Sequence, residues 1–143
     1  MTRLRIDLGY DGGGFFGWAR QPDRRTVQGT IEAALHQVLR VSIDDDTEPL
    51  RLTVAGRTDT GVHASHQVAH LDVHGDILDR CVGHMAVPAV DALARRLAAV
   101  LPRDIAIRSV RVAPEGFDAR FSALERTYVY RIADRSSEAD PRL

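Results

Sequence analysis

The sequence predicts an α+β domain of the ferredoxin-like, or split βαβ, type: an antiparallel sheet with two helices on one face, plus an extra strand. Three observations lead to this prediction. The chain begins with a regular alternation of apolar and charged residues, typical of a half-buried strand. Two later segments carry apolar residues at helical spacing. In chain order the elements run β-α-β-β-α-β and then one more strand, which is the split βαβ pattern.

The first half of the chain supplies a strand, a helix and a pair of strands. Residues 3–10 alternate between apolar and charged side chains. Thr26 suits the N-cap of a helix whose apolar residues share one face. The acidic residues 42–49 are expected to form a solvated loop. Residues 50–56 then predict a short strand, and residues 66–74 a longer one with alternating apolar side chains.

The second half adds a helix and two strands. The helix is expected from roughly Pro88 to Leu101, where apolar residues again recur at helical spacing. Residues 104–113 predict a strand in which the apolar parity switches between Ile107 and Val110. Such a switch indicates one extra residue, a β-bulge. Residues 126–133 predict the extra strand.

Composition indicates one globular domain. Residues 1–133 are expected to form it, and the polar residues 134–143 a linker or truncated tail. Hydrophobic residues make up 44% and charged residues 27%, which are ordinary globular values. A single cysteine excludes an internal disulfide. No signal-like segment is visible and no run approaches the ~20 apolar residues of a membrane span, so a cytoplasmic location without membrane contact is expected.

The charge of the chain says little about its partners. Nineteen basic and twenty acidic residues give a net charge of −1, which by itself argues against a strong nucleic-acid-binding domain. Every basic residue is arginine, a side chain suited to phosphate contacts and base stacking. A preference of the genome explains that usage more simply than selection for RNA. The positions of the charges therefore matter more than their sum.

The glycine-rich segment 12–17 matches the G-x-G-x-x-G pattern of dinucleotide sites. Such a site requires a helix to begin at the glycines, so that the pyrophosphate meets its N-terminus. Here Trp18 to Arg25 intervene before the helix, which argues against that site. The aromatic residues of the loop are expected to pack in the core, although their position beside Arg20 and Arg24 also suits contact with nucleic acid.

Four histidines recur at intervals of three and four residues: His63, His66, His70 and His74. On a helix they would share one face and suggest a zinc site. The surrounding alternation predicts a strand instead, where successive members of His66, His70 and His74 lie ~13 Å apart. An exposed polar strand face is the better interpretation, and no metal is expected.

The segment GRTDTGVHA carries the strongest candidate for chemistry, Asp59. A turn aspartate bonded to its own backbone would be the ordinary explanation. Arg57 favours a functional one, because residues i and i+2 of an extended chain project to the same side. A neighbouring guanidinium would keep the carboxylate ionised and able to act as a nucleophile or base.

Four blocks of this sequence, in order, resemble the TruA-type tRNA pseudouridine synthases. GRTDTGVHA is similar to the family signature GRTDAGVHA, with Thr60 in place of alanine. The opening loop YDGGGFFGWARQP, the helix TVQGTIEAAL and the segment DARFSALERTYVY match the family in order and spacing. Ala19 stands where the family commonly has glutamine. The resemblance covers nearly the whole chain and implies a ferredoxin-like fold.

The resemblance implies a function and a set of site residues. Asp59 falls on the catalytic carboxylate, Arg57 on an arginine that handles the extruded nucleotide, and Tyr128 on a tyrosine that packs against the target base. His63, Arg120 and Ser122 match positions that shape the site. The family needs no cofactor or metal. Its substrates are uridines in the anticodon stem-loop of tRNA, and it acts as a homodimer.

One departure from the family concerns length. Family members carry a second half of similar size, and the cleft lies between the two halves. A basic partner of the catalytic aspartate comes from that second half. The chain is therefore expected to be a fragment or a shortened copy with an incomplete site. Two alternatives to the enzyme remain open: a non-catalytic RNA-binding module and an inactive fragment.

Overall fold

The computed structural model describes residues 1–42 and 50–122, together with the backbone of a short strand at 127–128. The acidic loop lies almost wholly outside the described residues. So do the domain boundary after residue 133 and the tail 134–143, which therefore stay predictions.

All seven elements expected from the sequence are present, and one short helix (α2) is additional. The bounds are β1 Thr2–Tyr10, α1 Val27–Leu39, β2 Leu52–Val54, β3 Ala64–Val73, α2 Gly75–Asp79, α3 Ala89–Val100, β4 Ile105–Val112 and β5 Thr127–Tyr128. Strand β2 is shorter than the predicted 50–56. Helix α2 was not predicted because a helix of five residues is too short to show a periodicity.

The sheet is antiparallel, with strand order β2-β3-β1-β4, and β5 pairs with β3. This order places the two central strands between the two peripheral ones, as the ferredoxin-like fold requires. The predicted fold class is therefore confirmed, including the extra strand.

The predicted bulge in β4 is also confirmed. Asp7 of β1 pairs with Ser109, whereas the next residue, Leu8, pairs with Ile107. Arg108 is left without a partner in the register, so it is the extra residue. This single insertion returns Val110 to the apolar face and explains the parity switch in the sequence.

One face of the sheet carries the core. Alternate residues of β1 are fully buried there, and they belong to one cluster with residues of α1 and α3: Leu4, Ile6, Leu8, Ile31, Leu35, Leu93 and Leu97. Helix α1 begins where predicted, because the Thr26 hydroxyl accepts a hydrogen bond from the Gly29 amide. Burial of this apolar surface is the main stabilising contribution to the fold.

The second face of the sheet is polar and holds paired charges. Asp7 on β1 is 6% exposed and accepts hydrogen bonds from Arg5, with Nε at 2.8 Å. His66 Nε2 lies 2.8 Å from the same carboxylate. Burial would raise the pKa of Asp7, but the hydrogen bonds from Arg5 and His66 outweigh burial and hold that pKa below its ordinary value.

The segment after β4 crosses this second face and buries His70. Its Nδ1 accepts a hydrogen bond from the Ala119 amide at 3.0 Å, and its ring meets Phe117 edge-on. Burial lowers the pKa of His70, and the positive charge of Arg3 lowers it further. Asp72 and Asp118 oppose that effect without reversing it.

The His70 environment predicts a loss of stability in mild acid. A histidine with a lowered folded pKa binds its proton more readily in the unfolded chain, near the ordinary pKa of about 6.5. The free energy of unfolding should therefore fall as the pH drops from about 7 towards 5, by up to about 1.4 kcal/mol per pH unit. Urea unfolding at several pH values measures this. The slope of the unfolding free energy against pH should flatten in His70→Gln. It should persist in His84→Gln, because His84 is exposed. Equal slopes in the two variants would contradict the role of His70.

Candidate active site and basic groove

Asp59 lies on a tight turn between β2 and β3. The Val62 amide donates to the Asp59 carbonyl at 3.1 Å, and Gly61 adopts φ +81°, a conformation that favours glycine. The Asp59 side chain is exposed, whereas Thr58 beside it is buried. The turn thus presents a carboxylate to solvent from a constrained backbone.

The glycine-rich loop after β1 holds this turn through backbone hydrogen bonds. The Trp18 amide donates to the Thr58 carbonyl at 3.0 Å, and the Gly61 amide donates to the Phe15 carbonyl at 3.2 Å. The Gly12 amide donates to His63 Nδ1 at 2.9 Å. Two segments that are distant in the sequence are therefore joined by hydrogen bonds at the Asp59 turn.

Two glycines make this contact possible. A Cβ on Gly12 would lie 1.9 Å from the Val62 carbonyl oxygen, so no side chain fits there. Gly17 has φ +82°, and a Cβ on it would lie 2.8 Å from the Thr58 carbonyl oxygen. Close packing of two backbones thus explains why both positions are glycine.

The glycines do not open a helix, in agreement with the sequence-based argument against a dinucleotide site. Residues Gly12–Gly14 form a single 3-10 turn capped by Asp11, and α1 begins only at Val27. Phe15 and Trp18 are buried in the core, as expected. Phe16 is 40% exposed, and the Arg24 guanidinium lies 4.5 Å from the centre of its ring.

A buried polar network, which was not predicted from the sequence, lies beneath the turn. The Tyr10 hydroxyl and Thr58 Oγ1 are 2.7 Å apart. Gln67 is fully buried and donates through Nε2 to the Gly56 carbonyl at 2.8 Å. A signal was present in the sequence, because Gln67 shares its strand parity with the apolar Leu71, and a polar side chain on a buried face needs partners.

Arg57 does not pair with Asp59, contrary to the geometric expectation. Both side chains are exposed on either side of buried Thr58, but they do not come within the 4.0 Å between nitrogen and oxygen that defines an ion pair. The same i, i+2 spacing does give an ion pair on β1, between Arg5 and Asp7 at 2.8 Å. The difference is that β1 is a regular strand, whereas bends and a turn interrupt residues 55–61.

Tyr128 lies on β5, where its backbone is opposite Ala64, the first residue of β3. The strand that bears Tyr128 is therefore adjacent to the strand that follows the Asp59 turn. Its side chain lies outside the described part of the structure, so its role stays a prediction.

The three residues expected to shape the site have different surroundings, and their role stays a prediction. His63 accepts the Gly12 amide and thereby joins the two loops. Arg120 forms an ion pair with Asp118 at 2.6 Å, while Ser122 is buried. The Arg120 guanidinium and the Arg120 amide both hydrogen-bond Asp118 and hold its pKa well below the usual range.

Arg20 and Arg24 line a groove beside the N-terminal half of α1. The groove has a volume of about 610 Å³, and Arg25 and Arg51 also line it. Arg20 is partly committed to the fold, because it donates at 2.9 Å to the buried carboxylate of Glu32. Arg25 is paired with Asp104, also at 2.9 Å. Arg24 and Arg51 are exposed and make no ion pair with the described residues.

The histidine series does not converge on a common point. His66 contacts Asp7, His70 accepts the Ala119 amide, and His74 caps α2 without a side-chain hydrogen bond. Within residues 1–42 and 50–122, no three His, Cys, Asp or Glu side chains are grouped so that they could hold a metal ion.

Comparison with known proteins identifies the family. The sequence model of the tRNA pseudouridine synthases matches residues 9–122, which is most of the chain. The chain belongs to the tRNA pseudouridine synthase family. The resemblance seen in the four sequence blocks is thereby confirmed, and the match includes both the glycine-rich loop and the Asp59 turn.

Relatives within the tRNA pseudouridine synthase family are similar over the whole chain. The tRNA pseudouridine synthase A of Bifidobacterium longum (strain DJO10A) is 78% identical over 143 residues, which are 100% of this chain and 47% of the relative. That of Bifidobacterium animalis subsp. lactis (strain AD011) is 62% identical with the same coverage. That of Cutibacterium acnes (strain DSM 16379 / KPA171202) is 51% identical over 141 residues.

The chain spans about half the length of the curated relatives that it matches, and it corresponds to their N-terminal half. Among its described residues, no helix has both the length and the apolar character needed to cross a membrane.

Proposed function

We propose that this chain is the Asp59-bearing half of an enzyme that isomerises uridine to pseudouridine in tRNA. The observation that carries the proposal is the exposed Asp59 carboxylate on a turn held by the glycine-rich loop. A catalytic group works best when its own position is fixed by packing and hydrogen bonds around it. Family membership and the matching signature supply the reaction type.

In the proposed reaction the bond between uridine N1 and C1′ breaks, the base turns, and a bond from C5 to C1′ forms. The proton on C5 is released and N1 gains one, so the product is an isomer of the substrate. Asp59 either attacks C1′, as in retaining glycosidases, or removes a proton as a base. The base must first leave its stack, at a cost of a few kcal/mol that is lowest in a loop.

Arg57 and Tyr128 have separate roles in this proposal. Arg57 is exposed beside the turn and free of an ion pair with Asp59, so its guanidinium is available to the extruded nucleotide. Tyr128 would stack on the target base, a contact worth ~1–3 kcal/mol in comparable cases. Its strand lies beside the start of β3, five residues after Asp59.

The family resemblance supports further proposals about the complete enzyme. Its targets are uridines of the anticodon stem-loop, it acts as a homodimer in the cytoplasm, and it needs no cofactor or metal. A-form RNA is recognised mainly through shape and phosphates, which suits a surface whose cations are all arginines.

A second candidate function, a non-catalytic RNA-binding module, is favoured by the groove lined by Arg20, Arg24, Arg25 and Arg51. Because the chain covers 47% of the Bifidobacterium longum relative, the basic residue expected from the other half is not among these 143 residues. A non-catalytic RNA-binding module would keep the basic groove and lose turnover. Release of tritium from C5-labelled uridine in tRNA transcripts tests the choice, with the chain placed in the matching segment of the Bifidobacterium longum relative so that the site is complete. Release supports the enzyme, and tRNA binding without release supports the module.

The basic groove predicts a salt-dependent contribution to tRNA binding. Arg24→Gln and Arg51→Gln should each weaken binding to different tRNAs by a similar factor, because phosphate contacts carry no sequence information. Each should also reduce the slope of log K against log salt by about 1. Arg95→Gln on the exposed side of α3 is the matched control. Unchanged slopes in both groove variants would exclude the groove from the RNA interface.

A further inference from the structure

The bulge in β4 gives Arg108 an unusual position on the sheet. As the extra residue of the bulge, Arg108 reaches across β1 to β3, where its Nε donates to the Ser65 carbonyl at 2.9 Å. Bulges commonly redirect a side chain in this way near functional sites. In a regular register Arg108 would pair with a residue of β1, and its side chain would not reach across that strand.

Gly9 on the intervening strand makes room for this arrangement. A Cβ on Gly9 would lie 3.0 Å from an Arg108 terminal nitrogen and 2.8 Å from the Ser65 carbonyl oxygen. The absence of a side chain at Gly9 therefore allows the guanidinium to lie over the strand. Three strands cooperate in the placement: β4 supplies the arginine, β1 the space, and β3 the acceptor.

The bond to Ser65 fixes the guanidinium through Nε alone. Arg108 is exposed, and its two terminal nitrogens make no hydrogen bond with the residues that the structure describes. Arginine presents its donors in a planar fork that matches two oxygens of a phosphate. An anchored guanidinium with an unused fork is prepared to bind such a group, because little further side-chain entropy is lost on binding.

The guanidinium borders a cleft of about 420 Å³ at the end of the sheet where β1 meets the glycine-rich loop. Ala64, Ser65 and Arg103 also line it, together with two acids, Asp11 and Asp104. Both acids have partners: Asp104 is paired with Arg25 at 2.9 Å, and Asp11 accepts the Gly13 amide at 3.0 Å. Asp11 also lies 2.9 Å from His63 Nδ1, so the two carboxylates that share the cleft with Arg103 and Arg108 both have other partners.

The cleft is next to the strand pair that carries the proposed stacking residue. Ala64 lines the cleft and is paired with the backbone of Tyr128. A nucleotide whose base leaves the stack towards β5 would keep its two phosphates close to the β3–β5 pair. Arg103 and Arg108 are the two arginines that line the cleft, and Arg108 is the one held by a hydrogen bond to the backbone.

We propose that Arg108 is a substrate-positioning residue that binds a phosphodiester group of the RNA strand next to the extruded uridine, with Arg103 as a second, weaker cation. The proposal rests on the proposed function, since it requires RNA as the partner. It assigns a role to the bulge and to Gly9 that the Asp59 turn does not explain.

Binding of the 143-residue chain to a tRNA transcript, measured between about 50 and 200 mM salt, tests the proposal. Arg108→Gln should weaken binding roughly tenfold, the loss expected for a charge-assisted hydrogen bond, and reduce the salt slope by about 1. Arg108→Lys should recover the slope but only part of the affinity, because the ammonium keeps the charge and loses the fork. Arg95→Gln is the matched control and should change neither quantity.

A second measurement separates phosphate binding from a structural role of the Ser65 contact. In a synthetic anticodon stem-loop, each loop phosphate is replaced in turn by an uncharged methylphosphonate. Replacement of one particular phosphate should weaken RNA binding by the original chain and leave RNA binding by the Arg108→Gln variant unchanged. If the original chain binds tRNA, and Arg108→Gln matches Arg95→Gln in affinity and in salt slope, the role proposed for Arg108 is wrong while the proposed function is unaffected. If tRNA is bound neither by the original chain alone nor by the chain in place of the matching segment of the Bifidobacterium longum relative, the proposed function fails and takes this inference with it.

Discussion

Asp59→Asn is expected to abolish tritium release from C5-labelled tRNA, with a fall of at least about 10³-fold, while the dissociation constant for tRNA changes by less than about twofold. The substitution removes a nucleophile or base and keeps the shape of the side chain. Asp59 is exposed, and its side chain makes no hydrogen bond with the described residues, so the fold should not respond. Loss of turnover without loss of binding identifies a group that acts in the transition state.

The assay needs a complete site. The chain is therefore measured alone and also in place of the matching segment of the Bifidobacterium longum relative, of which it covers 47%. Asp91→Asn, an exposed carboxylate on α3, is the matched control and should keep full activity in the chimera. Turnover retained in Asp59→Asn, or tRNA binding weakened more than about tenfold, would refute the assigned role.

Gly12→Ala is expected to destabilise the fold by about 3 kcal/mol or more. The new Cβ would lie 1.9 Å from the Val62 carbonyl oxygen and 2.5 Å from its carbon, and both belong to the backbone. No rotamer change relieves such an overlap, so one of the two loops must move, which is more costly than ordinary overpacking. Because the same contact holds the Asp59 turn, the chimera should also lose activity in the fraction that remains folded.

Urea unfolding measures this effect directly. Gly75→Ala is the matched control, since a Cβ there would meet nothing within 4 Å and φ is not positive. It should leave stability unchanged or raise it slightly, because alanine restricts the unfolded chain. A free energy of unfolding for Gly12→Ala within about 0.5 kcal/mol of the original would show that the loops separate easily and that Asp59 is not held by this packing.

Two arginine–aspartate pairs share the i, i+2 spacing but differ in structure. Spacing i, i+2 is correct for Arg5 and Asp7, which lie on a regular strand and form an ion pair at 2.8 Å. Arg57 and Asp59 have the same spacing but form no ion pair, because bends and a turn follow the short strand β2. An exposed ion pair gains too little free energy to impose its own geometry, so the backbone decides whether it forms.

The sequence by itself determined the order of elements, the fold class, the bulge in β4 and the family, because these follow from local periodicity and from motifs that are continuous in the chain. Only the tertiary structure decided what surrounds Asp59. Gly12, His63, Tyr10 and Gln67 meet around the turn although they come from separate segments. Likewise, Arg108 reaches Ser65 only because Gly9 leaves space between them. Local patterns specify which side chains are buried, but contacts between distant segments depend on sheet register and on close backbone packing, which no single stretch of sequence encodes.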